Sequence, residues 1–199
     1  MNRKKYEITE VAHPKYPWLH RIRALCQVNE QVSPGMLGGY VQTEDNLSQE
    51  GTCWIYDQAI CCEEAVVTSD GRMYGESIAR DSALVGGDAR LFDRAKAEGN
   101  SCILSGEFRE EARAAGEAVI NKADNGESPR AIRHSNIYGT VCGRCVVYGT
   151  IMPGEKLINS TPDIFIIETG KRMVLAVPRK LENPRQKRKE RNREEDRER

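Results

Sequence analysis

His134 is the residue whose side chain is best suited to chemistry in this sequence. It lies in a polar segment, residues 122–136, together with Arg130 and Arg133. An imidazole titrates near neutral pH, so His134 could act as a general base that takes a proton from an amine or a hydroxyl group. The guanidinium groups of Arg130 and Arg133 suit a phosphate. The alternative is a polar surface loop with an incidental histidine, because the spacing identifies no partner carboxylate.

The other two histidines are His13 and His20. Neither matches a spacing of metal ligands, so the sequence predicts no metal site. We expect both to be structural or surface residues.

Cys142 and Cys145 form a Cys-x-x-Cys pattern, which is typical of redox and zinc sites. The chain also contains a six-residue repeat of short strands, and that repeat favours another interpretation. It points the Cys145 side chain toward the interior of the fold and the Cys142 side chain toward the outside. Cys61 and Cys62 divide in the same way, and Cys53 faces inward. We therefore interpret these cysteines mainly as small apolar residues.

A six-residue repeat runs in phase from Gly51 to Leu104. The fifth residue of every block is apolar, as at Ile55, and the third is small, as at Ala59. Side chains alternate faces along an extended strand, so these two columns point to the same side. The first column is Gly, Asp, Glu or Ser, which are residues that suit a turn. Each block therefore predicts one short strand and one corner.

Three such blocks, with their three strands and three corners, close one triangular coil. The phase shifts by one residue at 105–109, resumes up to Asn121, and returns in residues 137–154 after an insert at 122–136. The sequence predicts an all-β fold, a single-stranded left-handed parallel β-helix of about five triangular coils. The alternative, an ordinary β-sandwich, needs no fixed six-residue phase.

The flanking segments predict caps, because the open ends of a stacked coil would otherwise expose unpaired strands. We expect an N-terminal β cap at 1–50, the β-helix at 51–154 with the inserted loop at 122–136, a C-terminal β-hairpin cap at 155–177 and a charged tail at 178–199. The tail predicts disorder or a solvated helix. Its Lys187-Arg188-Lys189 run could contact a nucleic acid, although a solubilising role is favoured over that contact because acidic residues follow it.

The overall composition is neutral, with 30 basic and 30 acidic residues, and it argues neither for nor against a polyanionic partner. We find no apolar stretch of about 18 residues and no signal peptide, so we expect no membrane association and a cytoplasmic location. The seven cysteines should then mostly be reduced.

The segments 37–41 and 45–57, together with the Tyr-Gly pairs at 74–75 and 148–149 and the run 87–92, resemble the YdcK-like hexapeptide-repeat proteins. Members of that group are described as acyltransferases by likeness to hexapeptide transferases, and similar proteins occur on phages and mobile elements. The resemblance implies a CoA thioester as cosubstrate, His134 as the catalytic base, and Arg130 and Arg133 as contacts of the CoA phosphates. It also implies a homotrimer, although the bulky outer column at Tyr56, Tyr74 and Phe92 departs from the pattern of the transferases.

Two functions follow from the sequence. The first, which we favour, is a scaffold that binds a protein partner or self-associates, since outward aromatic and arginine residues are typical of interfaces. The residues predicted for that contact are Trp54, Tyr56, Tyr74, Phe92, Arg72 and Arg90. The second is a CoA-dependent acyltransferase that acts on an amine or hydroxyl acceptor through His134.

Overall fold

The structure, a computed structural model, describes residues 4–168 and 170–177. The predicted tail at 178–199, including its basic run, lies outside the described residues. Within them there are 23 β-strands and one 3-10 helix at Glu44–Asn46. The described residues hold no helix that is long and apolar enough to cross a membrane.

The strands are short and follow one another closely. The N-terminal strands are β1 (Tyr6–Ala12), β2 (His20–Ala24) and β3 (Leu37–Val41). The next nine are β4 (Trp54–Ile55), β5 (Ile60–Cys61), β6 (Val66–Val67), β7 (Arg72–Met73), β8 (Ile78–Ala79), β9 (Leu84–Val85), β10 (Arg90–Leu91), β11 (Lys96–Ala97) and β12 (Cys102–Ile103). Those that follow are β13 (Glu107–Phe108), β14 (Arg113–Ala114), β15 (Val119–Asn121), β16 (Arg130–Ala131), β17 (Asn136–Ile137), β18 (Thr140–Gly143), β19 (Cys145–Val147) and β20 (Thr150–Ile151). The last three are β21 (Lys156–Asn159), β22 (Ile164–Glu168) and β23 (Lys171–Leu175).

These strands form three sheets, and from β4 onward the chain visits them in turn. Sheet I has the order β1-β2-β3-β5-β8-β11-β14-β17-β20. Sheet II has the order β21-β18-β15-β12-β9-β6, and sheet III the order β23-β22-β19-β16-β13-β10-β7-β4. Neighbouring strands within the coil are parallel, so the fold is an all-β parallel β-solenoid, as the sequence predicts.

The register shows how much chain each coil uses. Trp54 pairs with Arg72, and Ile60 pairs with Ile78, so each of these coils takes three six-residue blocks. Leu91 pairs with Phe108, one residue short of three blocks, which is the shift expected at 105–109. Phe108 then pairs with Ala131 after a longer interval, because this coil contains additional residues from the segment 122–136.

The prediction of about five coils is wrong, because the solenoid has about seven. Sheets I and III each contain seven strands of the coil. The extra edges come from β3, which lies in the segment expected as a cap, and from β21 and β22, which lie in the segment expected as a hairpin cap. The segment 122–136 also contributes β16 and the first residue of β17. Beyond Asn121 the buried residues Ile137, Val141 and Ile151 lose the six-residue spacing, so the pattern did not define every edge there.

The interior is built from the two inward columns. Ala59, Ala65 and Ala95 are fully buried near the corners, where the coil is narrow. Ile55, Leu91 and other branched residues fill the middle of the triangle, and each contributes about 2 kcal/mol through burial. This column of small and aliphatic side chains explains why the fold needs few aromatic residues.

The corners use left-handed backbone at residues other than glycine. Asp57, Asp81 and Asp93 have φ values of 52° to 58°. Each carboxylate accepts a hydrogen bond from a backbone N–H of the next coil, for example Asp57 Oδ2 from Gly75 N at 2.9 Å and Asp81 Oδ2 from Gly99 N at 2.7 Å. These bonds offset the backbone strain and connect successive coils.

Both ends of the solenoid carry antiparallel strands. At the N-terminus β1 pairs with β2, and β2 pairs with β3. Tyr6 is buried there, and its hydroxyl donates to Leu47 O at 2.7 Å. At the other end β22 and β23 pair from Ile164 with Leu175 to Glu168 with Lys171.

Candidate functional site

His134 lies at a regular corner of the solenoid. It follows Arg133, which has a φ of 62°, in the turn between β16 and β17. The equivalent turn of the previous coil holds Glu110 and Glu111, and Glu111 N donates to Arg133 O at 3.0 Å. The corner geometry therefore stacks the His134 position directly against Glu111, so His134 does not sit on a projecting loop.

The His134 side chain is paired with a carboxylate. Its Nδ1 lies 2.7 Å from Glu111 Oε2, and Arg94 of the preceding coil also pairs with Glu111. The imidazole is 81% exposed, whereas the Glu111 side chain is 38% exposed. With Nδ1–H donating to the carboxylate, the lone pair of Nε2 faces outward as a base. The pair thus has the arrangement of an oriented general base.

Glu111 is the partner of His134 that the sequence did not identify. The interval from Glu111 to His134 is not a whole number of six-residue blocks. The insertion within this coil removes the regular spacing that would have aligned the two residues. Only the register of β13 with β16 brings them together.

Arg130 lies in the strand β16, whereas Arg133 lies in the corner that follows this strand. Arg133 shares the turn with His134, and its guanidinium lies 5.1 Å from the centre of the Tyr148 ring. Arg130 instead lies on the outer face of sheet III, 3.9 Å from Glu107 Oε2, and lines a separate groove of about 170 Å³ with Arg144. Of the two arginines, only Arg133 is in the same turn as the imidazole.

The outward aromatic residues stack on one another. Tyr56 and Tyr74 have ring centres 4.4 Å apart, and Tyr74 and Phe92 have ring centres 4.8 Å apart, with nearly parallel planes. Arg109 caps the stack 4.2 Å above Phe92. The rings are half-buried, so the neighbouring coils already cover much of the surface that was predicted for a partner.

Trp54 is not available on the surface. It is only 1% exposed because β1 covers it, with the Tyr6 ring packed edge-on at 6.3 Å. The expectation that Trp54 faces outward for a partner is therefore corrected. Arg72 and Arg90 are neighbours on the outer face of sheet III, where Arg90 is exposed and Arg72 is half-buried.

A groove that the sequence did not predict runs along the outer face of sheet I, beneath the loop at 13–19. It consists of two adjoining cavities of about 390 Å³ and 360 Å³ that share Tyr16, Ile60 and Ile78. We refer to it as the sheet I groove. Arg94 and Lys96 at its end also line the next depression along the sheet, together with Glu111. The groove therefore leads toward the corner that carries His134.

The cysteines have the surroundings of packing residues. None of the seven forms a disulfide within the described residues. Burial raises the pKa of the Cys145 thiol to about 12 and that of Cys62 to about 11, and it raises the pKa of Cys61 well above its usual range. Within the described ranges, no group of three or more histidine, cysteine or acidic side chains is arranged to hold a metal.

His13 and His20 have roles in the N-terminal segment. His13 Nδ1 accepts hydrogen bonds from the N–H groups of Lys15 and Tyr16, each at 3.1 Å. Burial lowers the pKa of His13, with smaller effects from Arg21 and Lys15. His20 pairs with Val41 where β2 meets β3.

The fold defines a parallel β-solenoid with a histidine–carboxylate pair at one corner, and comparison with known proteins adds one relative. The chain is similar to a protein named "Uncharacterized acetyltransferase YdcK" from Escherichia coli (strain K12), with 41% identity over 61 residues. The match covers 30% of this chain and spans about a fifth (18%) of that protein. This confirms the resemblance to YdcK-like proteins. No protein-family model matches the chain.

Proposed function

We propose that this protein is an acyltransferase that uses a CoA thioester, with His134 as its general base. The observation that carries the proposal is the 2.7 Å contact between His134 Nδ1 and Glu111 Oε2. The similarity to a protein named as an acetyltransferase, over a limited part of each chain, supports the same class. The proposal takes the solenoid to be left-handed, as the six-residue repeat predicts.

The residues at this corner fit the proposed reaction. When bound, the thioester supplies the acyl group. His134 Nε2 takes the proton from an amine or hydroxyl acceptor as the acceptor attacks the acyl carbon. It returns that proton to the sulfur when the carbon–sulfur bond breaks and CoA leaves as the free thiol. Glu111 holds the imidazole in the required tautomer and stabilises its positive charge. Arg133, beside His134, offers a cation for the CoA phosphates. Arg130 does not share this role, because it lies on the outer face of sheet III.

A thiol-release assay with acetyl-CoA and a panel of amine and hydroxyl acceptors tests this function. We expect His134→Ala to lower turnover by at least about 100-fold, which is the ordinary contribution of a general base. Glu111→Gln should lower turnover by a smaller factor because the base remains but loses its orientation. Glu110→Gln, in the same turn, serves as the matched control and should leave turnover unchanged.

Binding is measured separately by thermal shift with acetyl-CoA. Stabilisation should persist in His134→Ala, since the imidazole acts on the acceptor. If no CoA thioester stabilises the protein and none releases a thiol, the proposal is overturned.

A second candidate function is a self-associating scaffold, and the outer face of sheet II favours it. Val66, Leu84, Cys102 and Val119 follow one another in register across four coils. This row is uncharged, whereas the equivalent rows of the other sheets carry residues such as Lys96 and Arg90. A second copy presents the same row with the same strand spacing of about 4.8 Å, so the two faces match in register.

Light scattering tests the scaffold. We expect the unmodified chain to be a dimer or trimer at micromolar concentration and Val119→Lys to be a monomer, because the lysine would place a charge in the contact. Val146→Lys, on the outer face of sheet III, is the matched control and should keep the oligomer. A monomeric unmodified chain would contradict this function.

A further inference from the structure

The sheet I groove is a preformed feature of the fold. Leu19 at the end of the 13–19 loop is buried against Tyr40 and Ile60, which holds the loop on the sheet. The His13 ring stacks on Tyr16 at 5.2 Å and packs edge-on against Tyr40 at 4.6 Å. These contacts fix the overhang, so a ligand would not need to order it.

The floor and the overhang of the groove are apolar. Ile60 and Ile78 are neighbours across β5 and β8, and the Tyr16 ring lies above them. Trp18, which lines the outer part of the groove, is 57% exposed. Exposed aromatic side chains around an apolar floor are typical of sites that receive an apolar group.

The rim adds positive charge at one end. Lys15, Arg94 and Lys96 line this part of the groove, against a single carboxylate from Glu76. Arg94 is engaged by Glu111, while Lys96, in register with Ile78 on the adjacent strand, forms no ion pair with any described residue. The Lys96 ammonium therefore remains available beside the apolar floor.

From this combination we infer that the sheet I groove binds an amphipathic organic anion. Its ring or aliphatic chain lies on Ile60 and Ile78 beneath Tyr16, and its carboxylate, phosphate or sulfonate contacts Lys96. The ligand's role as the acyl acceptor rests on the proposed function. Lys96, Arg113 and Asn136 occupy successive strands, so the corner that carries His134 lies about 10 Å along the sheet. A ligand of moderate size spans that distance.

Fluorescence titration with two matched probes tests the groove without any thioester. The probes are 8-anilinonaphthalene-1-sulfonate and N-phenyl-1-naphthylamine, which share the apolar rings and differ in the sulfonate. We expect the anionic probe to bind more tightly than the neutral one. Lys96→Gln should weaken the anionic probe at least fivefold and leave the neutral probe unchanged, and Ile78→Asn should weaken both probes.

Val146→Asn is the matched control, since Val146 is a half-buried aliphatic residue on the outer face of sheet III, away from the sheet I groove. It should leave both affinities unchanged, with folding of every variant checked by its thermal transition. Equal affinity of the anionic probe for Lys96→Gln and the unmodified chain would overturn the inference. So would an equal loss in Val146→Asn and Ile78→Asn. Probe binding without acyl transfer would leave the groove intact and remove only the acceptor role.

Discussion

At the scale of single residues, three serine hydroxyls in the interior of the coil have no hydrogen-bond partner among the described residues. They belong to Ser77, Ser101 and Ser135, and all three side chains are buried. Each occupies an inward position where neighbouring coils use alanine. A buried hydroxyl without a partner keeps its desolvation penalty, so these serines reduce the stability of the fold.

Replacing Ser101 with alanine should therefore stabilise the protein. We expect the free energy of unfolding to rise by about 1 kcal/mol, because the methyl group fits the column and the unsatisfied hydroxyl is removed. Chemical denaturation measures the change. Ser105→Ala is the matched control: Ser105 is equally buried, but its hydroxyl is bonded to Ser128 Oγ at 2.6 Å, so its removal should destabilise. A loss of stability in Ser101→Ala would contradict this explanation.

The sequence identified one member of the proposed pair and missed the other. His134 could be selected because imidazole chemistry belongs to the residue itself. Glu111 could not be selected, since its contact with His134 depends on the register between β13 and β16. That register spans the additional residues of the segment 122–136. Trp54 shows the opposite error: its column position predicts an outward side chain, but β1 covers that position in the first coil.

At the scale of strands and corners, the six-residue pattern was sufficient to predict the parallel coil between Gly51 and Asn121. The inward columns fix which face is buried, and a one-residue slip would expose the whole set. The first column predicted the corners because Asp tolerates left-handed backbone and can bond to the next coil, as Asp93 Oδ2 does with Glu110 N at 2.9 Å. The preferences of the strand residues for the interior and of the corner residues for left-handed backbone therefore agree with the observed coil.

The same reasoning failed where strands differ in length. The later strands β18 (Thr140–Gly143) and β21 (Lys156–Asn159) are longer than those of the regular coils, and the intervals between their buried residues no longer repeat. The sheet I groove was also beyond the sequence, because it forms between the coil and a loop that has no repeat of its own. Such contacts follow from the path of the chain, which a periodic pattern does not describe.

At the scale of the whole molecule, buried groups that remain protonated link stability to pH. Burial raises the pKa of Cys145 to about 12, with a smaller effect from Cys142, and burial likewise raises the pKa of Tyr6 above its usual range. In the unfolded chain these groups lose their protons at lower pH, so the folded state binds more protons over this interval. The stability is therefore fully present below about pH 9 and falls as the pH rises toward the folded pKa values.

Thermal transitions between pH 8 and pH 10.5 should show this loss. A fully buried thiol such as Cys145 contributes a slope of up to about 1.4 kcal/mol per pH unit once it ionises in the unfolded chain. Cys145→Ala should flatten the decline, while the control Ser101→Ala, which removes a buried residue that does not ionise, should leave its slope unchanged. A decline that is identical in Cys145→Ala and the unmodified chain would assign it to other groups.

The additional residues between β15 and β16 also provide a place where a foreign segment can be inserted into the protein. Between β15 and β16 the chain projects from the solenoid at the exposed residues 124–126, while the strands on either side keep their parallel partners. The height of the prism is thus independent of the chain length at this corner. A peptide tag or a labelled segment can be grafted at the exposed residues 124–126, giving a handle on the protein that leaves the ladders of the solenoid and the Ser105–Ser128 hydrogen bond in place.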